Sequence, residues 1–292
     1  MTASALPTPI RSAARALTGM GRELVGARGA QRAHVPSPPA TGPVLDVGGG
    51  QAPHPRADVV VDKYVADDFE RPGAERLDLS KPLVVADAAA LPFADGAFAY
   101  LVASHVLEHA TDPMRFAAEF ARVAAAGFVQ VPTRASELTF GWDFHPWLID
   151  LDGDTLVFEP RGDQRAPCGE LFHRSFAEST LFRTWWASTR SEWHHSLEWR
   201  GSLKVRVEGD STADRTATLD VERTVRALRA AHARGALQPL PHALRALLRC
   251  PVCAGALRLS DTRAACESCG RAYPVAGEAP VLLEEAAEVG GG

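Results

Sequence analysis

The sequence predicts an α/β chain, a doubly wound and mostly parallel sheet followed by a small metal-stabilised C-terminal module. Three observations carry that reading. Short apolar, β-rich runs recur between residues 44 and 132, and aspartates close two of them. Three consecutive glycines, Gly48, Gly49 and Gly50, follow the first run. Two Cys-x2-Cys pairs, Cys250/Cys253 and Cys266/Cys269, lie near the C-terminal end.

The elements follow in order. VLDV, containing Asp46, reads as a buried parallel strand. The glycines behind it let the backbone turn tightly and approach a ligand closely. QAPHPR then places Pro53 and Pro55 where a long first helix would run. Proline inside a helix costs roughly 3 kcal/mol or more, so that helix is expected to be short or absent. DVVVD ends a second strand at Asp62, where a carboxylate can accept hydrogen bonds from the hydroxyls of a ribose. Val84–Ala86 is a third strand with Asp87 at its tip, and Phe98–Ala103 a fourth that runs into SHVLEH. A helix is predicted over Asp112–Ala125. Thr111 or Asp112 caps it, Pro113 occupies its first turn, and Met114, Phe116, Ala117, Phe120 and Val123 supply the apolar positions. GFVQVPT is a fifth strand ending at Pro132, and ligands of open α/β sheets bind beyond such carboxyl ends. Leu156–Phe158 and Leu203–Val207 read as late strands, an antiparallel pair completing the sheet. Asp150–Asp154 reads as a turn between strands, because the spacing and terminal Glu of a calcium loop are missing.

The glycine turn alone would also suit a nicotinamide dinucleotide or a mere tight connection, although G-x-G-x-x-G is absent. Joined to VVADAAALPFADGAFAYLVASHVLEH (84–109), it becomes specific. The stretch Val44–Pro132, about a third of the chain, resembles the class I S-adenosylmethionine-dependent methyltransferases of the type 11 group. The resemblance implies a Rossmann-like sheet and a cofactor site built residue by residue. The turn with Asp46, Gly48, Gly49 and Gly50 would lie under the methionine part of S-adenosylmethionine. Asp62 would hold the ribose, and Asp87 with Ala88 would contact the adenine. Leu91–Pro92–Phe93, Asp95 and Phe98 match the motif leading into strand four, and His105 lies just past that strand on the cofactor side. The shortened first helix departs from the general pattern.

Cys250, Cys253, Cys266 and Cys269 form C-x2-C-x12-C-x2-C, which suits tetrahedral zinc with every position filled by sulfur. Such a closed site is structural. Two disulfides or an iron–sulfur cluster are the other readings of these ligands. The chain has five cysteines and shows no secretory signal peptide, which favours zinc and a reducing, cytoplasmic compartment. The segment from Leu247 to Glu284 resembles the small zinc-ribbon proteins that bind and activate methyltransferases, matching at Gly270, Arg271, Tyr273, Pro274, Pro280, Val281, Leu282 and Leu283. That resemblance implies docking of the ribbon on the catalytic domain, here within one chain. A tether raises effective concentration, to the millimolar range when it is short and flexible.

The 292 residues suit one full domain and a small one. The expected division is an N-terminal helical or linker segment at 1–40, the methyltransferase domain at 41–238 with a substrate lobe at about 134–200, and the ribbon at 245–285. No apolar run approaches the ~20 residues of a membrane span. The net charge of −5 argues against a broadly basic nucleic-acid surface. The first forty residues are rich in arginine, with Arg11, Arg15, Arg22, Arg28 and Arg32 against Glu23. They read as a helix over the cofactor cleft or as a transit peptide. Gly290–Gly292 reads as a frayed tail.

Substrate chemistry is expected after Pro132. Phe140, Trp142, Phe144 and Trp147 surround His145, and His173, Trp185, Trp186, Trp193, His194, His195 and Trp199 follow. These side chains could line an acceptor pocket, stack unpaired bases, or form the core of an extra lobe. Methyl transfer mainly requires alignment, but a hydroxyl or ring-nitrogen acceptor can need a base. His105, His109 and His145 are the candidates, with Glu108 holding the loop or the helix start. The resulting expectation is a methyltransferase acting on an oxygen or nitrogen of a small molecule or glycan. RNA or a translation protein is the alternative acceptor, and a non-catalytic scaffold the alternative class.

Overall fold

The computed structural model describes residues 35–39, 41–67, 77–209 and 219–289. The expected helix around Arg11 to Arg32 and the tail Gly290–Gly292 lie outside these residues. Short apolar runs build the centre: β1 (Val44–Val47), β2 (Val59–Asp62), β3 (Leu83–Ala86) and β4 (Tyr100–Ser104) are buried along nearly their whole length. β5 (Ala126–Pro132) is buried at every position. Strands covered on both faces need continuous apolar sequence rather than alternation, which is why they were readable. They run parallel in the order β3-β2-β1-β4-β5. The order reverses between β1 and β4, and a crevice opens there at the carboxyl ends of the strands. Among the described residues, turns rather than a helix join β1 to β2, as Pro53 and Pro55 require.

α1 (Pro113–Val123) covers one face of this sheet. The Asp112 carboxylate caps it by accepting the Arg115 N–H at 3.0 Å, and Pro113 takes the first position, where a missing N–H costs nothing. Phe116, Ala117, Phe120 and Val123 point inward. Met114, expected among them, is 51% exposed, because its position falls off the edge of that stripe.

The strands predicted at 156–158 and 203–207 exist but do not complete the main sheet. β6 (Trp147–Asp152), β7 (Thr155–Pro160) and β9 (Lys204–Val207) form a separate three-stranded sheet, in which β7 and β9 run parallel. The antiparallel edge of the main sheet is instead β8 (His194–Arg200), paired along the whole of β5. The reason is local. Asp152 and Thr155 face each other across a tight turn, so β7 folds back onto β6 before it can reach β5. Trp147, Ile149, Leu156 and Phe158 then enter the same core as α1. The turn expected at Asp150–Asp154 is this hairpin. Four helices lie between β5 and β8: α2 (Arg134–Phe140), α3 (Gly169–Glu178), α4 (Thr180–Ser188) and α5 (Arg190–Trp193).

The C-terminal segment contains α6 (Val221–Ala233), α7 (His242–Arg245), β10 (Leu257–Leu259), β11 (Arg263–Cys266), β12 (Arg271–Ala276), β13 (Ala279–Leu282) and β14 (Glu288–Val289). β13 pairs in parallel with β3, with Val281 beside Val85 and Leu282 beside Ala86. One sheet therefore runs unbroken from β10 through β13 into the parallel core. α6 lies across the join: Leu228 and Ala231 pack with Val60, Leu83, Val85 and Val281. The loop before β4 is tied to the same segment, since Ala94 N–H donates to the Leu247 carbonyl at 2.8 Å and Arg249 N–H to that of Pro92 at 2.9 Å. The Arg122 guanidinium completes this clamp by donating to the carbonyls of Leu91 and Phe93, both at 2.7 Å, and to Glu119 and Asp95. The motif residues Leu91–Phe93, Asp95 and Phe98 thus hold the fold together.

Candidate functional site

The crevice at the strand ends is a cavity of about 440 Å³. Asp46, Gly48, Gly49, Gly50, Asp62, Asp87, Ala88, His105, His109 and His145 all line it. The fold thus gathers every residue singled out for the cofactor or for acid–base work, although they come from the ends of four strands and two loops.

The glycine turn is shaped by close approach. Gly48 has φ +66°, and a β-carbon there would lie 2.4 Å from Val106 Cγ2. One on Gly49 would lie 2.8 Å from Asp46 Oδ2. Asp46, almost fully buried, accepts the His54 N–H at 2.6 Å, which ties the proline-containing loop back onto β1. Asp62 Oδ1 accepts the Tyr64 N–H at 3.0 Å. Asp87 accepts the Ala89 N–H at 2.8 Å through one oxygen and the Lys63 ammonium at 2.6 Å through the other. Asp87 holds the Lys63 pKa above its usual value, although burial of the ammonium acts as the larger and opposing influence. Lys63 was not recognised from the sequence. Its position directly after Asp62 was the one available signal.

The other end of the cavity is built from histidines and aromatic rings. His105 adopts φ +59°, a left-handed conformation that costs on the order of 1–3 kcal/mol and concentrates at functional sites. Its N–H donates to the Gln130 carbonyl at 2.8 Å, and its Nδ1 lies 2.9 Å from Oε1 of fully buried Glu108. This contact ties Glu108 to the loop at His105. His145 Nδ1 lies 2.6 Å from Oε1 of Glu137, also fully buried. Burial pushes the Glu137 carboxyl up to about 8, against the opposing fields of Arg161 and His105. Glu137, eight residues from His145 on α2, was missed because nothing in its local pattern marks it.

The His145 ring meets His109 edge-on at 4.6 Å, and His109 stacks with Phe144 at 5.7 Å. Phe140, Trp142, His173, Phe176, Trp186 and His194 continue this wall of the cavity. Trp142 and His173 meet at 4.3 Å, and Trp186 and His194 at 5.0 Å. α4 buries no residue, and of its rings Trp186 lines the cavity, whereas Phe140 and Trp193 are buried. Behind the wall, Arg190 lies 5.7 Å from the Trp186 ring, and burial pushes its guanidinium down to about 10.

The four C-terminal cysteines form a second site. Their sulfurs lie within 4.8 Å of one another, and all are free thiols rather than disulfides. Cys250 and Cys269 are 3.8 Å apart, and Cys253 and Cys266 are 3.4 Å apart. A tetrahedron with Zn–S bonds of ~2.3 Å has sulfurs about 3.8 Å apart, so the donor set fits zinc. The Tyr273 hydroxyl lies 3.2 Å from Cys250 Sγ, and Ala254, behind the first knuckle, takes φ +57°.

Comparison with known proteins places the crevice in context. Residues 45–128 match the family model described as a methyltransferase domain. None of the curated proteins matches the chain. Among solved structures, one similar chain is a Thermotoga maritima S-adenosylmethionine-dependent methyltransferase described as a possible histamine N-methyltransferase. It shares 15% identity over 45% of this chain and 60% of its own, with a TM-score of 0.28. A Mesorhizobium loti S-adenosylmethionine-dependent methyltransferase shares 18% identity over 57% of this chain and 82% of its own, with a TM-score of 0.30. A chain from the complex between the Haloferax volcanii Trm112 methyltransferase activator and a methyltransferase shares 14% identity over 69% of this chain and 100% of its own, with a TM-score of 0.35.

Proposed function

We propose that this methyltransferase domain uses S-adenosylmethionine to methylate an oxygen or nitrogen of a small-molecule or glycan acceptor seated against the aromatic wall. One observation carries the reading: the glycine turn, both strand-end aspartates and the three histidines share a single cavity. The cofactor supplies an already activated methyl group, so the protein chiefly has to bind, align and exclude water. Asp62 is suited to accept hydrogen bonds from the ribose hydroxyls. Asp87 and Ala88 are suited to the adenine, and the turn at Gly48–Gly50 to the methionine end. Ring faces of Trp142, Phe144 and Trp186 offer a flat acceptor an apolar surface, and the two histidine–carboxylate pairs give it a polar end.

Zinc held by Cys250, Cys253, Cys266 and Cys269 would stabilise the C-terminal module, which then acts as a built-in activator by supplying β13 to the sheet. Among the described residues, no helix is long and apolar enough to cross a membrane.

Calorimetric titration with S-adenosylmethionine and its demethylated product tests the reading. Micromolar binding is expected for the zinc-loaded protein. Asp62→Ala is expected to weaken it on the order of 100-fold, because hydrogen bonds to a charged group contribute about 1.5–3 kcal/mol each. Folded protein that binds neither ligand would remove the proposal.

A further inference from the structure

We infer that Glu108, His109 and His145 form a divalent-metal site inside the same cavity. Its role would be to hold an acceptor hydroxyl, preferably one with a neighbouring oxygen, and this rests on the function proposed above. One donor atom from each of the three residues lies within 4.8 Å of the others. Donors around a metal at ~2.1 Å stand about 3–3.5 Å apart, so a small inward rotation of the side chains closes the site. Two imidazoles and a carboxylate suit Mn²⁺, Fe²⁺, Co²⁺ or Zn²⁺, and three protein ligands leave positions open to a substrate.

A second observation points to the same place. Glu108 is fully buried, and its Oε1 is fixed by His105, yet its Oε2 has no hydrogen-bond partner among the described residues. An unsatisfied buried carboxylate oxygen costs more than a lost hydrogen bond, and a cation removes that cost. The surroundings of His145 fit as well. Metal-bound histidines nearly always give their other ring N–H to a carboxylate or carbonyl, which fixes the tautomer. Glu137 stands 2.6 Å from Nδ1, so a metal would be taken on the opposite nitrogen, Nε2.

The reaction class follows from the chemistry. A coordinated hydroxyl ionises more easily, so its proton leaves to water. The oxygen then forms a bond to the methyl carbon as the carbon–sulfur bond of the sulfonium breaks. The products are a methyl ether, the neutral thioether and one proton, and no further reactant is needed. The metal also takes over from a histidine base, which explains why two of the three candidate bases sit so close together.

Titration with Mn²⁺ followed by its electron paramagnetic resonance tests the site, using protein given a single equivalent of zinc, which four thiolates take in preference to two imidazoles and a carboxylate. Mn²⁺ is a hard ion and does not compete for four thiolates. One bound equivalent is expected, with Glu108→Gln and His145→Gln each weakening it at least tenfold. Glu137→Gln should weaken it by about 10–100-fold through the orientation of His145. Should a variant fail to fold, paramagnetic broadening of the His109 and His145 ring resonances in the unmodified protein gives the same answer. Lack of stoichiometric binding overturns the inference, as does binding that survives the substitutions or leaves those rings sharp. Cofactor calorimetry on the same samples keeps this outcome separate: cofactor binding without Mn²⁺ binding removes only the metal, whereas loss of both removes the methyltransferase reading.

Discussion

With zinc held by the C-terminal cysteines as proposed, its removal is expected to lower the melting temperature of the whole α/β domain, and Cys250→Ser in the full chain to do the same. β13 is an interior strand of the sheet, with β12 on one side and β3 on the other. Val281, Leu282 and Leu283 are each at most 1% exposed. Burying such a side chain contributes about 1.5–3 kcal/mol, so losing the three together removes several kcal/mol. In a domain of this size each kcal/mol moves the midpoint by roughly 2–4 °C, so a fall of at least ~10 °C is expected. Circular dichroism with and without a chelator measures it. A midpoint unmoved by chelation would mean that β13 holds its place on β3 without metal, and the thiol cluster would lose its structural role.

Substituting Gly48 has the largest expected effect on ligand binding. Gly48→Val should abolish measurable affinity for S-adenosylmethionine while leaving the far-ultraviolet spectrum intact. Two causes add. A β-branched residue at φ +66° is strained by on the order of 1–3 kcal/mol. Its Cβ would also collide with Val106, which lies between His105 and the short 3₁₀ turn Leu107–His109, so both ends of the cavity shift together. Gly48→Ala meets the same contact with less bulk and should weaken binding by about 10–100-fold. Calorimetry on both variants decides. Full affinity in Gly48→Val would show that the turn does not lie under the ligand.

The contrast between what was and was not legible has a physical basis. β1 to β5 could be read because a strand covered on both faces must be apolar throughout, and Asp62 and Asp87 stood out at the ends of such runs. The Asp112 cap with Pro113 marked the start of α1 for an equally local reason. Partner choice between strands is not local. Leu156–Phe158 carries the same apolar pattern whether it pairs with β5 or with β6, and the two-residue turn after Asp152 decides the matter. The histidines were found by type, but the carboxylates that orient them were harder to see. Glu108 lies within one turn of His105, whereas Glu137 reaches His145 only because α2 folds back over the pocket.

The pairing of Val281 with Val85 spans about two hundred residues of chain. A ribosome adds roughly 5–20 residues per second, so β3 emerges some 10–40 s before the strand that covers it. Throughout that interval an apolar edge, rich in valine, is open to any extended chain nearby. Placing the covering strand in the same polypeptide removes the search for a separate partner. It also makes a finished sheet the mark of a chain synthesised at least as far as Leu282, and a prematurely terminated chain is left with an open edge on β3.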